Sequence, residues 1–151
     1  TLEKQNNLDE AESEYRRAIA IEHELNDAIS ASTCHTSLAE LLLKRGKTDA
    51  AEEEAQEALK FARISDDAQA QGQALIALAQ LKHQTGDYTA ADELFTQALT
   101  LLDSSHAHEI TAGAYFRYAN LLEERGEVQR SLNAIKKAYD HQRKGKRGDL
   151  E

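Results

Sequence analysis

The chain has 151 residues, 40% of them hydrophobic and 30% charged, and a formal net charge of −9 from 18 Lys and Arg against 27 Asp and Glu. That length suits one domain, or one block of a larger protein, with enough chain to bury a core. Proline, methionine and tryptophan are absent and Val128 is the only valine, which disfavours sheet, favours helices, and leaves the connections to residues other than proline.

In chain order, Thr1 to Gln5 read as the last turn of a helix whose beginning is missing, with Asn6 at the turn after it. A helix follows that carries Ala11, Tyr15, Ala18 and Ile19 on one stripe. Asn26-Asp27 is a polar pair suited to capping the next helix, which holds Leu38, Ala39 and Leu41 and stops at Gly46. The same order then repeats: a helix with Ala51, Ala55, Ala58 and Leu59; the link Asp66-Asp67; a helix with Leu75, Leu78, Ala79 and Leu81; and Gly86. It repeats again with Ala91, Phe95, Ala98 and Leu99; Ser104-Ser105; Tyr118, Ala119 and Leu121; Gly126; and finally Ser131, Ile135, Ala138 and Tyr139. The three glycines stand 40 residues apart and no insertion breaks the register. Such a period marks stacked repeats, each too small to bury its own apolar face. Small residues where the helices cross (Ala39 with Ala51, Ala79 with Ala91) let the backbones approach closely, and one glycine per full hairpin is expected to make the turn.

These positions resemble the tetratricopeptide repeat, in which a Leu-small pair is followed by Gly-x-aromatic, an alanine, an aromatic and Ala-Leu. The third unit matches best, with Leu78-Ala79, Gly86-Asp87-Tyr88, Ala91, Phe95 and Ala98-Leu99. The second unit has Thr48 and Ala55 where bulk is usual, and the fourth has Ser131 and Ile135 for the alanine and the aromatic. The 40-residue period is longer than the family's commonest form and resembles that of bacterial transcription regulators and of scaffolds such as the kinesin light chain. The resemblance implies an all-α, right-handed α–α superhelix of about 3.5–4 helical hairpins over residues 1–143. The units run over about 1–26 (partial), 27–66, 67–106 and 107–143, with a basic tail at 144–151.

In such a solenoid the first helix of each hairpin lines the concave side. A helical wheel puts Thr33, Thr36, Ser37, Glu40 and Lys44 opposite the core stripe in the second unit. The third unit contributes Gln73, Ile76, Ala77, Gln80 and Gln84, with His83 at the edge; the fourth contributes Gly113, Phe116, Arg117, Asn120 and Glu124. Hydroxyls and amides dominate this face and suit a peptide backbone. Phe116, Arg117 and Asn120 form the sharpest candidate, an outward aromatic beside an arginine. Some members of the family grip a chaperone's C-terminal carboxylate with lysine, asparagine and arginine on successive first helices. Here only Arg117 falls on such a place, while Thr36, Glu40, Ala77 and Gly113 occupy others, so that clamp is not expected.

Other signals are weaker. His106 and His108 at a linker make a poor metal pattern. Cys34 precedes His35 on a helix, where neighbours diverge, and reads as a small core residue. Glu52, Glu53, Glu54 and Glu57 read as a solvated face, and Arg147-Gly148-Asp149 as three residues of a tail. Lys136, Lys137, Arg143, Lys144, Lys146 and Arg147 suit a helix C-terminus, and a polar last helix would shield the open end of the stack; the alternative is contact with nucleic acid or an acidic partner. Residues 1–127, with 11 basic and 24 acidic side chains, would repel duplex nucleic acid. No apolar run of about 18 residues is long enough to span a membrane, and no signal peptide opens the chain. The lone Cys34 fits a reducing, cytoplasmic setting. Thr1 is no encoded start, so a processed chain or excised fragment is expected.

The expectation is a non-enzymatic module without cofactor that binds a protein or peptide in its concave groove, as part of a larger regulator such as a helix-turn-helix transcription regulator. The alternative is a scaffold or homodimer joined through terminal repeats, where Tyr15 or Tyr139 lacks cover.

Overall fold

The computed structural model describes residues 2–150, and the side chains of all of these but Glu3, Asp149 and Leu150. It is built of α-helices: α1 (Leu2–Leu25), α2 (Ala28–Lys44), α3 (Thr48–Ser65), α4 (Ala68–Gln84), α5 (Tyr88–Ser104), α6 (His108–Glu124) and α7 (Val128–Leu150). Helices α2, α4 and α6 begin 40 residues apart and pair with α3, α5 and α7 as hairpins stacked in an all-α solenoid. None of the described helices is long and apolar enough to cross a membrane.

The hairpin turns form as the glycine spacing requires. Gly46, Gly86 and Gly126 sit at φ +77°, +88° and +78°, the left-handed region that a side chain enters only at a cost. At Gly86 the backbone closes with Asp87 N–H donating to the Lys82 carbonyl at 2.9 Å and Gly86 N–H to the His83 carbonyl at 3.1 Å, two carbonyls the helix would otherwise leave open.

Glycine does not do all the turning. Asn26, Asp66 and His106 also lie at positive φ, again 40 residues apart, and turn the chain from one hairpin into the next. Asn and Asp tolerate this conformation through their short polar side chains. Asp27 and Asp67 then cap α2 and α4, accepting from Ser30 N–H at 3.1 Å and Ala70 N–H at 2.7 Å. The third link departs from the expected cap: α6 starts from Ala107, which has no side-chain acceptor, and Ser105 Oγ instead takes the Ala107 N–H at 3.3 Å.

Three readings at the chain ends are corrected. Helix α1 runs unbroken through Asn6, so no turn separates a remnant helix there; without a glycine, nothing forces a left-handed residue, and Thr1 lies outside the described residues. Helix α7 continues to Leu150, so the stretch from residue 144 is helical rather than a separate tail, with Glu151 outside the described residues. Nor is the outer side of α7 wholly polar, since Val128, Leu132 and Tyr139 are 61%, 48% and 55% exposed among its exposed polar and basic residues. Tyr15, by contrast, is half-buried against Leu38 and Leu42.

The core is unequal along the stack. The larger cluster joins α4 to α7 through Phe95, Leu99, Leu102, Tyr115, Tyr118 and Leu122, completed by Ala134 and Ala138. Between α1 and α4 the clusters are smaller, built on Leu38, Leu42 and Leu81 with alanines 39, 51, 55 and 77. The crossing residues Ala39, Ala51, Ala79 and Ala91 are each buried. A Cβ placed on Gly72 would lie 2.8 Å from Leu102 Cγ, so α4 admits that leucine only because this residue has no side chain.

Candidate groove on the first helices

Helices α2, α4 and α6 line a groove with two joined hollows. The first, of about 380 Å³, has Thr33, Thr36, Ser37, Gln73 and Ile76 in its wall, with Ile110, Gly113 and Ala114 from α6. The second, of about 640 Å³, has Leu43, Lys44, Gln80, His83, Gln84, Leu121 and Glu124, and Tyr88 from the start of α5. Glu40 and Arg117 wall both. Arg117 Nη1 reaches Glu40 Oε1 at 3.3 Å, so an ion pair from α2 to α6 crosses the groove where the hollows meet.

This arrangement gathers thirteen of the sixteen residues singled out on the wheel: Thr33, Thr36, Ser37, Glu40, Lys44, Gln73, Ile76, Gln80, His83, Gln84, Gly113, Arg117 and Glu124, while Ala77 is buried in the core. Thr36 and Ile76 are floor rather than rim, since each is buried, and the Thr36 hydroxyl donates to the Ser32 carbonyl at 2.9 Å. A polar face close to two neighbouring helices is partly covered by them, which a wheel for one helix cannot show. The His83 ring lies 5.0 Å from that of Tyr88, and its Nε2 is buried without a protein partner. Phe116 and Asn120 are not in the wall of either hollow. Asn120 is exposed, and Phe116 is half-buried, edge-on to the Tyr139 ring of α7 at 5.5 Å. The expected trio is therefore split, with only Arg117 in the groove. Ile110 was missed although it stands three and seven residues before Gly113 and Arg117, a spacing that shares their face. Tyr88 is on a second helix, and only the hairpin fold brings it to the groove.

Away from the groove, polar clusters tie neighbouring units together. Asp92 accepts from Arg125 Nη2 at 2.6 Å, from the Tyr118 hydroxyl at 2.9 Å and from Arg130 Nη2 at 3.3 Å. Burial alone would raise the pKa of the Asp92 carboxyl, but the hydrogen bonds from Arg125 and Tyr118 outweigh it and hold the group below the usual range. Burial, then the bond to Asp92, pushes the Tyr118 hydroxyl up to about 12. At the other end of the stack His23 Nε2 lies 3.2 Å from His35 Nε2, and His35 Nδ1 lies 2.6 Å from Glu54. His108 and His141 meet at 3.1 Å, and His141 Nε2 is 2.8 Å from Asp103. Among the described residues no group of three or more His, Cys, Asp or Glu is placed to hold a metal. Cys34 is half-buried, and burial followed by the charge of Glu22 raises its thiol pKa, the opposite of what a reactive thiolate needs.

The solved structure of BtubC (BKLC) from P. vanneervenii is similar to this chain, with a TM-score of 0.74 and 22% sequence identity. The likeness covers 93% of this chain but 58% of that one, so the chain spans little more than half the length of this neighbour. At that identity the likeness concerns the fold. No curated protein matches the sequence. Residues 72–101, from α4 into α5, match the tetratricopeptide repeat, in the unit whose residues resemble that repeat best.

Proposed function

We propose that this segment binds a peptide, or an extended part of a partner protein, in the groove of α2, α4 and α6, and performs no catalysis itself. A repeat of this kind within a helical solenoid supports an interaction module in general. The observation that carries the groove reading is the convergence of Thr33, Ser37, Gln73 and Gln80 around two hollows, the first floored by Ile76, that Glu40 and Arg117 bridge. Hydroxyls and amides offer both donors and acceptors to a peptide backbone. The exposed Glu40–Arg117 pair contributes little to stability, so either partner can be turned toward a ligand at small cost.

The wider reading is the partner-binding block of a larger regulatory protein in a reducing, cytoplasmic compartment, a helix-turn-helix transcription regulator included; the lone half-buried Cys34 and the longer extent of the structural neighbour support it. Panning random phage-displayed peptides on the wild-type chain tests the groove. Enriched peptides should lose about tenfold or more in affinity for Arg117→Ala and for a groove-filling Ser37→Trp. Peptides that bind both variants as well as wild type would overturn the reading.

A further inference from the structure

Gly113 lies inside α6, and the chain's own packing gives no reason for it. Glycine is the weakest helix former after proline, so one within a helix calls for a cause. The three hairpin glycines have theirs in a positive φ, and Gly113 is not among the described residues at positive φ. Gly72 has another, since a Cβ there would strike Leu102. At Gly113 an added Cβ would meet nothing within 4 Å. Nor does the repeat require glycine here, because forty and eighty residues earlier the same place holds Gln73 and Thr33. Gln73 stays in the wall of the first hollow although α6 packs beside α4, so the next helix of the stack does not cover this place.

The missing side chain widens that hollow. Its volume of about 380 Å³ is more than twice the roughly 150 Å³ that accepts a benzene-sized group. Ile76 and Ala114, both buried, and the half-buried Ile110 supply an apolar lining. Two of the polar residues are turned back on their own helix: the hydroxyls of Thr33 and Thr36 donate to the Ile29 and Ser32 carbonyls at 3.1 and 2.9 Å. Ser37 and Gln73, whose side chains make no hydrogen bond among the described residues, remain to meet a main chain. The two charges on the wall, Glu40 and Arg117, pair with each other. An ionised side chain entering the hollow would therefore find no unpaired counter-charge.

We propose that the first hollow sets the specificity of the groove. The bound peptide's main chain passes over the bare backbone of Gly113, and one large uncharged apolar side chain, aliphatic or aromatic, enters between Ile76, Ile110 and Ala114. This rests on the peptide-binding reading of the groove and adds the class of residue that the peptide must carry. Glycine is placed there for close approach, since a side chain at that point would occupy the space the ligand takes.

The test takes peptides enriched on the wild-type chain by phage panning, synthesises them and titrates them by fluorescence anisotropy. They should share one large apolar residue, and replacing it by Ala or Asp should weaken binding about tenfold or more. Gly113→Leu, which fills the hollow, should weaken the parent peptides by a similar factor without lowering the melting temperature. Gly113→Ala should raise the melting temperature by about 2–4 °C, because alanine favours the helix and its methyl enters open space, yet weaken the same peptides. A glycine needed only by the fold would show the reverse on melting. Peptides that are weakened by Arg117→Ala and Ser37→Trp but bind Gly113→Leu as tightly as wild type, or that tolerate loss of the apolar residue, would overturn this proposal and leave the groove reading standing. A panning that enriches no peptide, or peptides indifferent to all of these variants, would overturn both.

Discussion

The junction between the third and fourth units and the junction between the first and second are held by different means. At the former, Phe95 stacks on Tyr118, Leu102 and Leu122 are fully buried, and the Asp92 cluster lies at the edge of a continuous apolar core. At the latter, the apolar contribution is small, and polar links dominate: Arg45 reaches Asp9 at 2.5 Å and Glu12 at 2.6 Å, and His23, His35 and Glu54 form a chain across α1, α2 and α3. One repeat pattern thus builds two kinds of joint. Where the aromatic of the second helix is fully buried, as Phe95 is, dispersion and area burial hold the units; where it is only half-buried, as Tyr15 is against Leu38 and Leu42, ion pairs and hydrogen bonds align units that burial holds less strongly. The N-terminal end should therefore open more easily.

The largest expected effect is that of Phe95→Ala, which would make the third unit resemble the second at the place of Ala55. Truncating a fully buried phenylalanine should cost about 3–5 kcal/mol in urea or thermal unfolding; a loss near that of a surface change would break the contrast. Next, Ala91→Leu should overpack the crossing of α4 with α5 and cost about 1–3 kcal/mol, and an unchanged melting temperature would refute the assignment of Ala91 to that crossing. Asp92→Asn leaves the nearly buried Arg125 without its charged partner and should cost about 1–3 kcal/mol.

That substitution also has a pH signature. Because the carboxyl of Asp92 is held below its unfolded value, its contribution is present above about pH 3.9 and is lost as pH falls through the lower folded value. The wild type should thus lose melting temperature in strong acid, and Asp92→Asn should lose less between the same pH values. A parallel fall in both proteins would show that the acid sensitivity lies elsewhere, with Glu12 and its bond from Arg16 at the N-terminal joint the next place to test. The smallest effect belongs to Arg117→Ala, whose exposed ion pair should change stability by no more than about 0.5 kcal/mol while weakening groove ligands.

Much of the fold was legible in the residues. Glycine at 46, 86 and 126 identified the hairpin turns because few other residues enter the left-handed region cheaply, and Asp27 and Asp67 announced the helix starts they cap. The left-handed turns at Asn26, Asp66 and His106 carried the same period but were hidden, since Asn, Asp and His enter that conformation less readily than glycine and none of them announces it alone. On the concave side a single-helix wheel recovered the Thr33, Gln73 and Arg117 face, because that face depends only on spacing. It misplaced Phe116, because whether an aromatic lines a groove or an end face depends on which neighbouring helix lies beside it.

By itself, then, the sequence determined the helical class, the 40-residue spacing of the turns and the direction each side chain takes from its own helix, all of them local consequences of backbone sterics and periodicity. The tertiary structure alone decided which polar residues meet across the stack. Glu40 and Arg117 are 77 residues apart, and no periodicity within one helix announces their pairing. The same holds for the end of the chain. The six bases from Lys136 to Arg147 read as part of a polar cap, but the fold leaves Leu132 and Tyr139 exposed, Tyr139 in one hollow with Lys136, Arg143 and Lys146, because charge counts along a helix are blind to the side on which each residue lies.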